Sequence, residues 1–194
     1  MLALLRTIAL VNTQILRIGR QLAWMALAMM VLVILAQVFF RYVLNNALAW
    51  PDEAARFLML WMTAFIAPSA MRWGGFVSID MLPRRLPRVP SLVLLTILLT
   101  MSLAVLVTAV GHGVNHTFGF GGKFDSSSLR LPLDWIGFEQ VKVKLRYMYG
   151  SLLLCVVLLI MVTVELILRT ILTLVFPDIE LPADDAPKSM LSAD

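Results

Sequence analysis

The fold of this chain is decided by residues 22–40, LAWMALAMMVLVILAQVFF, in which Gln37 is the only strongly polar side chain. A helix needs about 20 apolar residues to cross the ~30 Å hydrocarbon core of a bilayer. That core offers no water to backbone amide groups, so a spanning segment must satisfy them within its own helix. Residues 22–40 therefore predict a transmembrane helix.

Three further apolar runs follow, at residues 57–71, 91–110 and 148–164. The first of these reaches a spanning length if its helix begins near Trp50. The sequence predicts an all-α integral membrane domain over residues 22–176, with four transmembrane helices joined by a long outer loop at residues 113–145. The predicted helices cover about residues 22–44, 50–73, 90–112 and 146–172.

The composition agrees with a membrane protein. Of 194 residues, 60% are hydrophobic and 14% are charged, with mean hydropathy +0.89, whereas soluble domains average about 25% charged residues. The net charge of +4 needs no nucleic acid to explain it, because cytoplasmic loops of membrane proteins are rich in Arg and Lys. Cys155 is the single cysteine, so an intrachain disulfide is excluded.

Both ends of the chain are predicted to lie outside the membrane core. Residues 1–21 place three arginines and Thr13 on one helical face, which predicts an amphipathic helix lying in the cytoplasmic interface; a partly ordered tail is the alternative. The three arginines are Arg6, Arg17 and Arg20. Residues 177–194 predict a polar cytoplasmic tail.

Four spans put both termini on the same side of the membrane. The connection between the second and third helices contains Arg72, Arg84, Arg85 and Arg88 against the single acid Asp80. Because positive loops stay in the cytoplasm, we predict cytoplasmic termini. Three cations before the fourth helix argue weakly for the opposite orientation: Lys142, Lys144 and Arg146.

The connection between the first two helices, residues 39–57, reads FFRYVLNNALAWPDEAARF. Proline at the start of a helix, followed by acids, favours helix initiation at Trp50-Pro51-Asp52-Glu53. A charge at the centre of a membrane helix costs about 2.5–3.5 kcal/mol on insertion scales. The spacing allows Arg56 to pair with Asp52 or Glu53, or these groups to contact a partner subunit or phospholipid headgroups. Glu165 and Arg169, four residues apart, predict a self-satisfied pair.

The sequence contains no motif typical of catalysis or metal binding. It has no phosphate-binding loop, no cysteine–histidine cluster and no nucleophile-elbow motif. The two histidines, His112 and His116, are four residues apart, whereas a haem between two helices normally takes a ligand from each. We therefore predict no catalytic residues, no bound cofactor and no metal site.

Several motifs occur together in the first half of the chain: Phe40-Arg41-Tyr42, the run WPDEAAR at residues 50–56, Trp61 and Phe65, Arg72, and Ile79-Asp80-Met81-Leu82. With the four-helix layout and Leu131-Pro132-Leu133-Asp134-Trp135, they resemble the small membrane subunit, the DctQ-like or Q subunit, of tripartite ATP-independent periplasmic (TRAP) transporters. That family often has a histidine just before the Ile-Asp pair, where this chain has Phe76-Val77-Ser78.

The resemblance implies a function and partners. A periplasmic binding protein captures an organic anion, commonly a carboxylate or keto acid, and a large multi-helix subunit imports it with sodium. The small subunit, in the bacterial inner membrane, serves as scaffold for the large subunit and helps dock the binding protein, while sodium belongs to the large subunit. Contacts with that subunit or with phospholipid would involve Arg41, Trp50, Asp52, Glu53, Arg56, Trp61, Arg72 and Asp80; docking would involve Asp134 and Trp135.

Two other functions fit a four-helix membrane protein. One is a small autonomous transporter with Glu53 or Glu165 as the coupling carboxylate, although an arginine lies within reach of each. The other is a membrane anchor of a redox enzyme, which predicts haem absorbance and a role for His112.

Overall fold

The computed structural model describes residues 2–46, 48–74, 87–131 and 141–176. Helices form most of this part of the chain: α1 (Leu2–Tyr42), α2 (Trp50–Arg72), α3 (Arg88–Phe118) and α4 (Arg146–Val175). Between α3 and α4 lie a 3-10 helix (Phe120–Lys123) and the strands β1 (Asp125–Leu131) and β2 (Val141–Lys144). Each of the four α-helices is long and apolar enough to cross a membrane, so the predicted all-α membrane fold is confirmed.

Two helices are longer than the sequence patterns predict. The N-terminal segment is helical, but it forms no separate element, because α1 continues from Leu2 to Tyr42 without a break. Helix α3 continues past Gly111 and Gly113 and extends to Phe118. A Cβ at Gly113 would lie 3.1 Å from Leu153 Cδ1, so this glycine permits close approach of α3 and α4.

The ends of α2 follow the predicted signals. The helix begins at Trp50, with Pro51 in its first turn beside Asp52 and Glu53. After Arg72 the chain turns through Gly74, whose φ of 75° lies in the left-handed region that favours glycine. Its amide donates to Met71 O at 3.2 Å, which satisfies one of the carbonyls left open at the helix end.

The predicted outer loop, residues 113–145, contains regular structure. Its first residues belong to α3, and β1 pairs with β2 in an antiparallel register that sets Asp125 opposite Lys144 and Leu131 opposite Val141. The alternation of apolar and basic residues in Val141-Lys142-Val143-Lys144 is the period-two signal of a strand. The sequence prediction overlooked it because the run is only four residues long.

The chain divides into two compact units, and each of the four long helices contributes one segment to each unit. The first comprises Met1–Ile18, Ala67–Thr108 and Val157–Asp194, and the second comprises Gly19–Ile66 and Ala109–Val156. Within the first unit, Leu16, Met71, Leu99 and Val162 form a buried apolar cluster. The N-terminal part of α1 belongs to this core, with one face buried along Leu5, Ala9, Asn12 and Leu16.

Candidate functional site: the charged turn and a buried ion network

The turn between α1 and α2 is ordered by its own polar contacts. Gln37 Nε2 donates to Asp52 Oδ1 at 2.8 Å, joining the end of one helix to the start of the next. The Ser126 hydroxyl donates to Glu53 Oε1, so the first turn of α2 also holds the start of β1. Asn45 adopts a φ of 50° in the turn, a conformation that asparagine tolerates better than most residues.

Arg56 differs from these acids. It is exposed, and within the described ranges no carboxylate lies at salt-bridge distance from it. The predicted pairing of Arg56 with Asp52 or Glu53 is therefore not formed in that part of the chain. Two further residues of the predicted contact set are also accessible: Arg41 lies 5.8 Å from the Tyr42 ring, and Trp50 is 39% exposed. These side chains are available to another molecule.

Trp61 forms part of an aromatic row along α2. Its ring lies 6.2 Å from that of Phe57 and 5.6 Å from that of Phe65, both tilted. Among the described residues the buried indole Nε1 of Trp61 has no hydrogen-bond partner. The ring therefore stabilises the helix surface by packing.

Arg72 occupies a different environment from the other predicted contact residues. Its side chain is 1% exposed, and Nη2 lies 2.8 Å from Oε1 of Glu165, whose side chain is fully buried. Arg72 Nη1 donates to Thr13 Oγ1 at 2.8 Å, and Nη2 donates to Ala9 O at 3.3 Å. The guanidinium thus joins α1 and α4 within the first unit and faces this chain rather than a partner.

Glu165 accepts bonds from three helices. Arg169 Nε and Nη2 donate to its Oε1 at 2.9 and 2.8 Å, while Asn12 Nδ2 donates to its Oε2 at 2.7 Å. The predicted Glu165–Arg169 pair is confirmed, but its partners Arg72 and Asn12 were not foreseen. The sequence did contain one signal of these additional partners. Asn12 is a polar side chain among the apolar residues of α1.

The two histidines do not form a ligand set. His112 and His116 are both exposed, and the His116 ring lies 5.8 Å from that of Tyr149. In the described residues no group of three or more His, Cys, Asp or Glu side chains could hold a metal ion. Three of the predicted site residues lie outside the described ranges: Asp80, Asp134 and Trp135.

These observations define a multi-pass membrane protein with an exposed charged turn and an internally neutralised carboxylate. The family model of the DctQ component of tripartite ATP-independent periplasmic transporters matches residues 30–173, and the chain belongs to that family. It is a small membrane subunit of a TRAP transporter. Searches of curated proteins and of solved structures gave no match.

Proposed function

We propose that this subunit is the scaffold of a sodium-driven importer of organic anions of the carboxylate or keto acid class. A large multi-helix subunit of the same complex carries sodium and substrate, and this chain binds no cofactor itself. A periplasmic binding protein delivers the substrate, and Asp134 and Trp135 help to dock it. The observation that carries the scaffold role is the family match over residues 30–173.

The contacts of the two candidate coupling carboxylates support a scaffold over an autonomous carrier. Glu165 is bonded to Arg72, Arg169 and Asn12, and Glu53 accepts a bond from Ser126. A carboxylate that exchanges protons during transport must be able to lose its partners. Buried and joined to two guanidinium groups, Glu165 is instead placed to hold α1, α2 and α4 together.

The exposed residues of the charged turn are the proposed contact with the large subunit or with phospholipid headgroups. Arg56 carries a charge without a described carboxylate partner, and the side chains of Arg41 and Trp50 are also accessible. Arginine and tryptophan are enriched where protein surfaces bind most strongly. Asp52 and Glu53 order the turn that presents them.

We place the protein in the bacterial inner membrane with both termini in the cytoplasm. Because Arg72 pairs with Glu165, its charge no longer counts toward the positive connection between α2 and α3 that favours a cytoplasmic position. The remaining inner arginines still favour this orientation; they are Arg6, Arg17, Arg20, Arg84, Arg85 and Arg88.

Reconstitution tests the proposal. Proteoliposomes containing the large subunit, with the binding protein outside and an inward sodium gradient, should accumulate a labelled carboxylate only when this chain is present. Uptake without this chain would contradict the scaffold role. Uptake by this chain alone would indicate an autonomous transporter, and haem absorbance in the purified protein would indicate a redox anchor.

A further inference from the structure

A second polar site lies in the second unit, at the end of α3 and the start of α4. A cavity of about 120 Å³ is lined by Thr117, Phe118, Gly122, Lys123, Lys144 and Arg146. Its volume is several times what one buried water requires. Three of the six lining residues are cationic and none is acidic, so the cavity is chemically suited to an anion.

No described carboxylate neutralises these cations. Asp125 is set opposite Lys144 by the strand register, yet within the described part of the chain no ion pair joins it to Lys123, Lys144 or Arg146. Lys123, Lys144 and Arg146 therefore line the cavity without a described ion-pair partner. The first turn of α4, which begins at Arg146, adds the partial positive charge of a helix N-terminus.

Thr117 provides an independent indication of a ligand. It is 7% exposed, and its hydroxyl has no hydrogen-bond partner among the described residues. Several other helical threonines donate to the carbonyl four residues earlier; examples are Thr13, Thr63, Thr96, Thr163 and Thr170. Thr117 makes no such bond, although an unsatisfied buried hydroxyl is costly. A ligand in the cavity would satisfy it.

The backbone holds the cationic residues in place. A Cβ at Gly122 would collide with the carbonyl oxygens of Thr117 and His116, so the 3-10 helix packs directly on the last turn of α3. This contact fixes the position of Lys123, the last residue of the 3-10 helix. The guanidinium carbon of Arg146 lies 5.9 Å from the Phe118 ring centre. This cation–π contact restricts the position of the Arg146 side chain.

The location of the cavity indicates the source of the anion. Phe118 is the last residue of one candidate membrane span and Arg146 is the first residue of another. Span ends lie near the lipid headgroups, where basic side chains attract anionic lipid. Aromatic rings such as Phe118 and Tyr147 beside Arg146 suit the same interface.

We propose that this cavity binds a phosphate group, which is supplied by the headgroup of an anionic phospholipid. The cations from the 3-10 helix, β2 and α4 neutralise its oxygens, and Thr117 Oγ1 donates to one of them. A bound lipid would tie the outer hairpin to the ends of α3 and α4. This role is separate from the scaffold function and does not depend on it.

Binding of phosphatidylglycerol to the full-length protein in detergent tests the proposal. Lys144→Gln should weaken the affinity about fivefold, the effect of one cation at a lipid surface. Lys142→Gln, the same change two residues away on the same strand and outside the cavity, is the matched control and should leave the affinity unchanged. Equal losses in both variants would show general surface attraction and overturn the site.

Thr117→Val tests the hydroxyl separately from charge. The two side chains have nearly the same shape, and the hydroxyl has no described partner, so folding should be preserved when measured by thermal unfolding. Loss of a hydrogen bond to a charged group should weaken phosphatidylglycerol binding about tenfold. Unchanged affinity in this variant would contradict the proposal.

Inorganic phosphate distinguishes the two sources of the group. Retention of phosphatidylglycerol in the presence of millimolar phosphate supports a lipid headgroup, whereas competition by phosphate supports the same site filled by the free ion. Binding of neither probe would overturn the site. So would a Lys144→Gln variant that binds both probes normally but loses the periplasmic binding protein, since the cations would then serve protein docking.

Discussion

The guanidinium of Arg72 and the carboxylate of Glu165, 93 residues apart in the chain, lie 2.8 Å apart with almost no exposure of either side chain. Arg169 bonds to the same carboxylate oxygen. One carboxylate thus faces two guanidinium groups, with Asn12 bonded to its other oxygen. Removing the carboxylate would leave two buried charges without compensation.

Glu165→Ala should therefore destabilise the protein by about 3–5 kcal/mol, the usual result of breaking a buried ion pair from one side. Arg169→Ala should cost less, because Glu165 keeps Arg72. Unfolding in detergent, followed by circular dichroism, measures both. The control is Asp125→Ala, which removes an exposed carboxylate and should change stability by less than about 0.5 kcal/mol. Equal losses for Glu165 and Asp125 would refute the network's stabilising role.

Asn12→Ala should loosen the N-terminal part of α1. Asn12 Nδ2 donates to Glu165 Oε2 and to Met161 O, and the loss of such buried bonds costs about 1–3 kcal/mol. Hydrogen exchange of residues 2–18 should accelerate accordingly. Gln14→Ala, a change at an exposed position two residues away, should leave the exchange rates unaltered. Wild-type protection in the Asn12 variant would mean that apolar packing alone holds the segment.

Gly122→Ala should disrupt the C-terminal end of α3, because the added Cβ meets the Thr117 and His116 carbonyls. We expect a loss of about 1–3 kcal/mol, typical of overpacking, visible as a lower unfolding temperature. At Gly121 the nearest atoms to a new Cβ lie 4.0 Å away, so Gly121→Ala is the control and should be tolerated. Equal tolerance of both substitutions would show that the 3-10 helix can shift.

Arg56→Ala should weaken assembly with the large subunit under the proposed function. Arg56 has no described ion pair within this chain, so its removal should leave the subunit's own insertion and stability unchanged. Co-purification from detergent measures the expected loss. Glu53→Ala is a less selective test because Glu53 also bonds to Ser126. Full recovery of the complex with Arg56→Ala would remove this residue from the interface.

Trp135→Ala should reduce coupling to the binding protein while the membrane complex stays intact. An aromatic side chain is suited to anchor a docking protein. The expected result is slower uptake at limiting binding-protein concentration, with unchanged co-purification of the two membrane subunits. Wild-type uptake at every binding-protein concentration would exclude the docking role.

The sequence alone was sufficient for the four spans, the start of α2 and the Glu165–Arg169 pair. Apolar runs of spanning length permit only helices in lipid, and helix-start signals and four-residue spacings are local properties of the chain. Whether these features form therefore does not depend on distant residues. For the same reason the motifs around Trp50 and Ile79 were enough to indicate the family.

Tertiary structure decided which charges are internal and which remain available. Arg72 and Arg56 both lie in α2 among apolar residues. Periodicity alone does not show that Arg72 is buried against Glu165 while Arg56 is exposed. The hydrogen bond of Asn12 to Glu165 and the gathering of Lys123, Lys144 and Arg146 likewise join distant parts of the chain. Such contacts depend on how helices pack against each other, and periodicity within one helix does not specify its neighbour.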